Sequence, residues 1–184
     1  MRSLWLFTLC LLTVVSSQSI SASAQQAKPD AASVRDQLIG AWRLVSIETI
    51  RPNGEIIYPY YGKHPDGLIV YDRSGWMSVQ ITSDPRPTVP QASSREAFLA
   101  EPTSEKVAAV EGYYAYCGTW TLDTSSSTVT HHIKQSLIPG ERGEDGVRHY
   151  VFEGDHLTLV AKTHEMGEDH EGKLVWQRLQ KDQP

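Results

Sequence analysis

A chain of 184 residues with 17 basic and 22 acidic side chains, net charge −5, fits one domain. Its Lys and Arg residues form no run, which argues against the clustered cations that phosphate-wrapping proteins need, so nucleic acid is not an expected partner.

Residues 1–24 read as a secretory signal peptide. Arg2 gives a positive start, residues 4–15 form an apolar run too short to span a bilayer as a helix, and Ala22-Ser23-Ala24 is a small-x-small cleavage site ahead of Gln25. The expectation is export, to a periplasm or outside the cell, with no integral membrane span after cleavage. Arg2 is the one charged residue removed, so the mature chain is one unit more acidic than the whole. Of the two cysteines, Cys10 leaves with the signal. Cys117 then stands alone, expected as a small buried hydrophobe, and packing rather than a disulfide must hold the domain.

Residues 25–34 are polar and read as a flexible arm, and residues 35–181 as the domain. Residues 34–38 suit a short helical turn that plugs one end. Residues 42–50 then alternate, with Trp42, Leu44, Ser46, Glu48 and Ile50 on one face. Pro52-Asn53-Gly54 is a turn, since Asn-Gly readily takes positive φ, and residues 55–60 are the expected return strand. Residues 67–71 and 76–82 form a hairpin around Asp72-Arg73-Ser74-Gly75, with Met77, Val79 and Ile81 facing away from Trp76, Ser78 and Gln80.

Three prolines break the pattern over residues 83–90. Residues 94–111 are the helical part, with Thr103 as a cap and Val107 and Val110 on one stripe. Strands resume at Tyr113. Tyr114, Tyr116, Trp120 and Leu122 share a face; Val129, His131 and Ile133 oppose Thr130, His132 and Lys134; Arg148, Tyr150 and Phe152 oppose Val147, His149 and Val151. Leu157, Leu159 and Ala161 share the next face, residues 164–172 read as a charged loop, and residues 174–179 as the last strand. About nine short strands with turns every eight to twelve residues indicate an all-β fold. The expected form is a closed or nearly closed antiparallel barrel of about eight to ten strands with one helical insertion, because closure removes exposed edges.

Longer stretches carry a resemblance. Leu38-Ile39-Gly40-Ala41-Trp42-Arg43-Leu44, Tyr58-Pro59-Tyr60-Tyr61-Gly62, Gly75-Trp76-Met77-Ser78-Val79-Gln80, Tyr113-Tyr114-Ala115-Tyr116-Cys117-Gly118-Thr119-Trp120 and Leu174-Val175-Trp176-Gln177-Arg178-Leu179 together resemble the lipocalin-like domain family of small bacterial and fungal barrels, calycin-type, over about residues 35–180. The resemblance implies a structural closure in which Gly40 admits the first strand and Trp42 packs under Arg178 of the last. It brings no catalytic set, and the catalytic residues stay unknown at this level.

A small barrel either fills with side chains or leaves room for one ligand. The aromatic faces suggest a cup lined by Tyr58, Tyr71, Trp76, Tyr114, Tyr116, Trp120 and Tyr150, with Gln80 and one histidine orienting a polar group. His131 and His132 are strand neighbours, so only one points inward; His132 is preferred because Thr130 and Lys134 suit a lined cavity. His164, Glu165, Asp169 and His170 lack a metal-ligand spacing. No Gly-x-Ser-x-Gly elbow and no phosphate-cradling loop is present. Neither metal nor cofactor is expected. The leading expectation is a binding protein for a small apolar or aromatic molecule; an isomerase or cyclase using the same cavity, and a filled-core interaction module, are the alternatives.

Overall fold

Short strands joined by tight turns leave hydrogen-bonding edges, and here every long strand finds a partner on both sides. A computed structural model describes residues 30–85 and 92–180. After α1 (Ala31–Leu38) come β1 (Gly40–Ile50), β2 (Ile56–Ile57), β3 (Asp66–Tyr71) and β4 (Trp76–Thr82). Two helices, α2 (Arg95–Ala100) and α3 (Thr103–Glu111), precede β5 (Tyr113–Asp123), β6 (Thr128–Ser136), β7 (Asp145–Glu153), β8 (His156–Glu165) and β9 (Glu168–Arg178). The strands run as an antiparallel meander from β3 to β9, and β1 pairs with both β3 and β9. The result is a closed eight-stranded barrel with β2 added beside the far end of β1.

Several local expectations change. Helix α1 starts at Ala31, capped by the Asp30 carboxylate on the Ser33 N–H at 2.7 Å, so the end of the segment read as an arm is helical. Of residues 55–60, Ile56 and Ile57 alone pair as a strand. The charged loop over 164–172 is instead a long hairpin. Strands β8 and β9 pair out to Glu165 and Glu168, and Met166 and Gly167 turn the chain at φ of 53° and 80°, the conformation that matches strand twist. Ser94, not Thr103, supplies a side-chain helix cap, accepting from the Ala97 N–H at 3.0 Å; α3 begins after Pro102 without one. Val107 and Val110 stay exposed, so their stripe does not pack on the barrel.

Two bulges reset which side chains face inward. In β1 the pairing with β9 slips between Leu44 and Ser46, leaving Val45 extra and 45% exposed. One extra residue reverses the alternation. Trp42 and Leu44 point in before the slip, and Ile47, not Ser46, lines the interior after it. In β6 Lys134 is the extra residue, because Cys117 pairs with Gln135 while Gly118 pairs with Ile133. Gly118 permits this approach: a Cβ there would lie 2.0 Å from the His132 carbonyl oxygen. Gly118→Ala is therefore expected to lower stability by about 1–3 kcal/mol through overpacking against backbone, read as a lower urea midpoint at unchanged slope.

The core is one cluster running from Val34 and Leu38 of α1, through Trp42, Tyr71, Trp120 and Leu157, to Tyr116 and Trp176. Helix α1 closes one end of the barrel. The half away from it keeps open space.

Candidate functional site

The closed end is built on an indole. Trp42 is 1% exposed, its Nε1–H donates to the Leu38 carbonyl at 3.0 Å, and the Arg178 guanidinium lies 4.0 Å from its ring centre. Arg178 also donates to the Ile39 carbonyl at 2.9 Å and to the Gln37 carbonyl, so the last strand ties down the C-terminal end of α1. Gly40, at φ 136°, lies where a Cβ would come within 2.8 Å of that guanidinium. Arg35 repeats the arrangement over Trp120 at 4.3 Å. The expected juxtaposition of Gly40, Trp42 and Arg178 is present, and it closes the floor rather than forming a ligand site.

Above the floor, the alternation of β6 sends Val129, His131 and Ile133 inward. His131 is fully buried between two phenols: Tyr71 Oη lies 2.6 Å from Nε2 and Tyr116 Oη 2.7 Å from Nδ1. The preference for His132 is thus reversed. His132 sits on the outer surface, bonded to Asp145 at 2.6 Å and Thr121 at 2.9 Å. The two polar neighbours that favoured it, Thr130 and Lys134, belong to the outward set, whereas Val129 and Ile133 share the side of His131.

Burial, with a further push from the nearby Arg148 cation, holds the His131 imidazolium pKa well below its usual value. Burial likewise raises the pKa of Tyr71 and of Tyr116, in both cases against the nearby Arg148 cation. All three groups are therefore neutral near pH 7, and their protons can be counted. A neutral imidazole has one donor nitrogen and one acceptor nitrogen. Tyr71 is 1% exposed, and its hydroxyl meets only His131 among the described residues. A buried O–H left without an acceptor is costly, which assigns Tyr71 O–H to His131 Nε2. His131 Nδ1–H then donates to Tyr116 Oη, and the Tyr116 proton remains to be given away.

Tyr116 and His131 border an interior cavity of about 160 Å³. Its walls are largely apolar, with Ile69, Val79, Leu159 and Leu174 among them, and among the described residues no aspartate or glutamate lines it. Tyr61 and Tyr114 also border it, their rings 6.3 Å apart. Tyr114 donates to Glu141 at 2.9 Å, and burial with the nearby carboxylate raises its phenol pKa; the same influences push Tyr61 up to about 12. Inward-facing Arg148 of β7 is the cation of the cavity. Gly146 makes room for it, since a Cβ there would sit 2.2 Å from a guanidinium nitrogen.

The expected cup residues divide accordingly. Tyr71, Tyr114, Tyr116, Trp120 and Tyr150 face the interior, but Tyr71, Trp120 and Tyr150 pack in the core without bordering the cavity. Tyr58 lies on the surface after β2, under Lys63. Trp76 is 52% exposed on the outer face of β4. Gln80 is on that face too, donating to Ser78 at 2.5 Å, and shares a shallow outer groove with Cys117. Cys117 is accordingly half-buried on the outside rather than in the core, because Tyr116 and Gly118 take the inward positions of β5. Tyr61, His131, Arg148 and Trp176 are among the cavity residues that the expected set omitted, as are its aliphatic walls.

At the β8–β9 hairpin, His164 pairs with Asp169 at 2.7 Å and His170 with Glu168 at 3.1 Å. Among the described residues no three His, Cys, Asp or Glu side chains gather to hold a metal ion, and no helix is long and apolar enough to cross a membrane. A wider groove of about 520 Å³ passes Arg51, Lys162 and Glu171. Arg51 there is engaged by Glu168 and Glu55, and such a solvent-open, charged trough gives an apolar molecule little to hold.

In comparison with known proteins, residues 39–179 match the family described as a lipocalin-like domain. No curated protein matches the chain.

Proposed function

The chain belongs to the lipocalin-like domain family, and on that footing we propose that it is an exported binding protein for a small, mostly apolar molecule held inside the barrel. The supporting observation is the interior cavity of about 160 Å³ with apolar and aromatic walls and a few convergent polar tips. A dry cavity of roughly 150 Å³ accommodates a benzene ring, so the scale of the ligand is one ring or a short branched chain. Binding energy comes from removing that apolar body from water, at ~25 cal/mol per Å², and orientation comes from Tyr116 at the end of the Tyr71–His131 relay. Export follows from the reading of residues 1–24, which lie outside the described residues.

One measurement addresses both parts. Native mass spectrometry of the protein taken from its source cells is expected to give a polypeptide beginning at Gln25 with a small organic molecule retained. A chain still carrying residues 1–24 would refute export; ligand-free protein that also takes up no ring-sized probe would refute binding.

A second reading uses the same relay. A neutral imidazole bridging two phenols can move a proton to or from a molecule beside Tyr116, the chemistry of an isomerase or cyclase. It predicts that the retained molecule, returned to the purified protein, is converted to a second compound; recovery unchanged favours binding alone.

A further inference from the structure

Three residues with hydrogen-bond donors to spare border the cavity. Arg148 carries five N–H groups, of which one is given to the Gly146 carbonyl at 2.8 Å. No carboxylate among the described residues forms an ion pair with it. Tyr116 is left with the relay's spare proton. Trp176, 1% exposed, has a buried Nε1–H without an acceptor, and it borders the same space. A partly buried cation facing a cavity that no described aspartate or glutamate lines is unfavourable unless something neutralises it.

We infer that the ligand carries a carboxylate, or an equally compact anionic head, received by Arg148, Tyr116 and Trp176 while its apolar body fills the rest of the cavity. This rests on the cavity being the binding site, and it narrows the ligand class to small monocarboxylic acids of about one ring. Hydrogen bonds from charged donors are shorter and about twice as strong as neutral ones. A carboxylate takes two such bonds from a guanidinium and has lone pairs left for a phenol and an indole. A neutral apolar ligand would leave all three donors unmet.

Calorimetric titration with benzoate, benzamide and toluene separates the two levels. Benzoate is expected to bind at least ~10-fold more tightly than benzamide, the neutral molecule of the same shape. Arg148→Met should erase that preference, while Tyr116→Phe should reduce benzoate affinity by roughly 5- to 20-fold and leave toluene within about twofold. If Arg148→Met fails to fold, Arg148→Lys serves: it keeps the charge, loses the fork and should retain only part of the preference. Toluene and benzamide binding as well as benzoate would overturn the anionic head while leaving the cavity as a binding site. No binding by any of the three would remove the site itself.

Discussion

Trp42→Ala is expected to lower unfolding stability by about 3–5 kcal/mol, the range for removing a large buried aromatic. The indole is 1% exposed, contacts the Phe152 ring at 6.2 Å and carries the Arg178 guanidinium on its face. Its loss creates a cavity at the floor of the barrel. It also takes the donor from the Leu38 carbonyl and strips one contact from the seam where β1 pairs with β9. Arg178 itself would keep its bonds to the carbonyls of Ile39 and Gln37, so part of the clasp survives. Trp42→Phe keeps most of the volume and should cost distinctly less. Trp76→Ala, on the outer face of β4, should change stability by no more than ~0.5 kcal/mol. Urea unfolding followed by circular dichroism measures all three; equal costs for Trp42→Ala and Trp76→Ala would contradict the closure described.

His131→Leu is the second large effect, about 2–4 kcal/mol, since it leaves the Tyr71 proton and the Tyr116 oxygen without partners in a buried space. The same histidine should govern stability in mild acid. Its pKa in the folded protein is lowered, so the unfolded chain binds the proton more readily than the native one. Its contribution is therefore fully present above the ordinary imidazole value of ~6.5 and is lost as pH falls from there toward the folded value. The slope approaches ~1.4 kcal/mol per pH unit for one proton. Urea midpoints at pH 7, 6 and 5 should fall more steeply for the natural protein than for His131→Gln, which keeps a donor and an acceptor but does not titrate. His132→Gln should retain the natural slope of the His131 limb. Carboxylates held low by hydrogen bonds, such as Asp123 at about 2 through Ser125 and Ser126, act in stronger acid and are common to every variant. Parallel lines for the natural protein and His131→Gln would contradict the buried neutral imidazole.

The architecture was legible because its signals are local and repeated. Turn residues separate alternating segments, and the pairing of Trp42 with Arg178 joins first strand to last. The site was less legible because side-chain direction depends on an unbroken count. The bulge after Leu44 reverses that count and brings Ile47 inward, and nothing in residues 42–50 marks it. Gly118 was a usable signal, since an isolated glycine in an aromatic strand commonly permits a close backbone approach. The preference for His132 misweighed the faces: Val129 and Ile133, which share the side of His131, are apolar and Thr130 and Lys134 are not, and burial of the apolar side carries His131 inside. Arg148 was visible beside Tyr150 and Phe152 on a face otherwise apolar, an arrangement that asks what neutralises the cation. The hairpin at Met166-Gly167 escaped detection because its strands are charged where they extend beyond the barrel, and charge resembles a loop when no buried face imposes alternation.

The central claim is that the ligand site lies inside the barrel beside His131. Imidazole-selective ¹⁵N NMR during titration with toluene tests it most directly, because the probe carries no charge and reports on the cavity alone. The expected spectrum at pH 7 shows His131 neutral with its proton on Nδ1, moving as toluene is added, while the His132 signals stay fixed. A His131 signal that is charged, or that stays still while toluene binds elsewhere, would contradict the account.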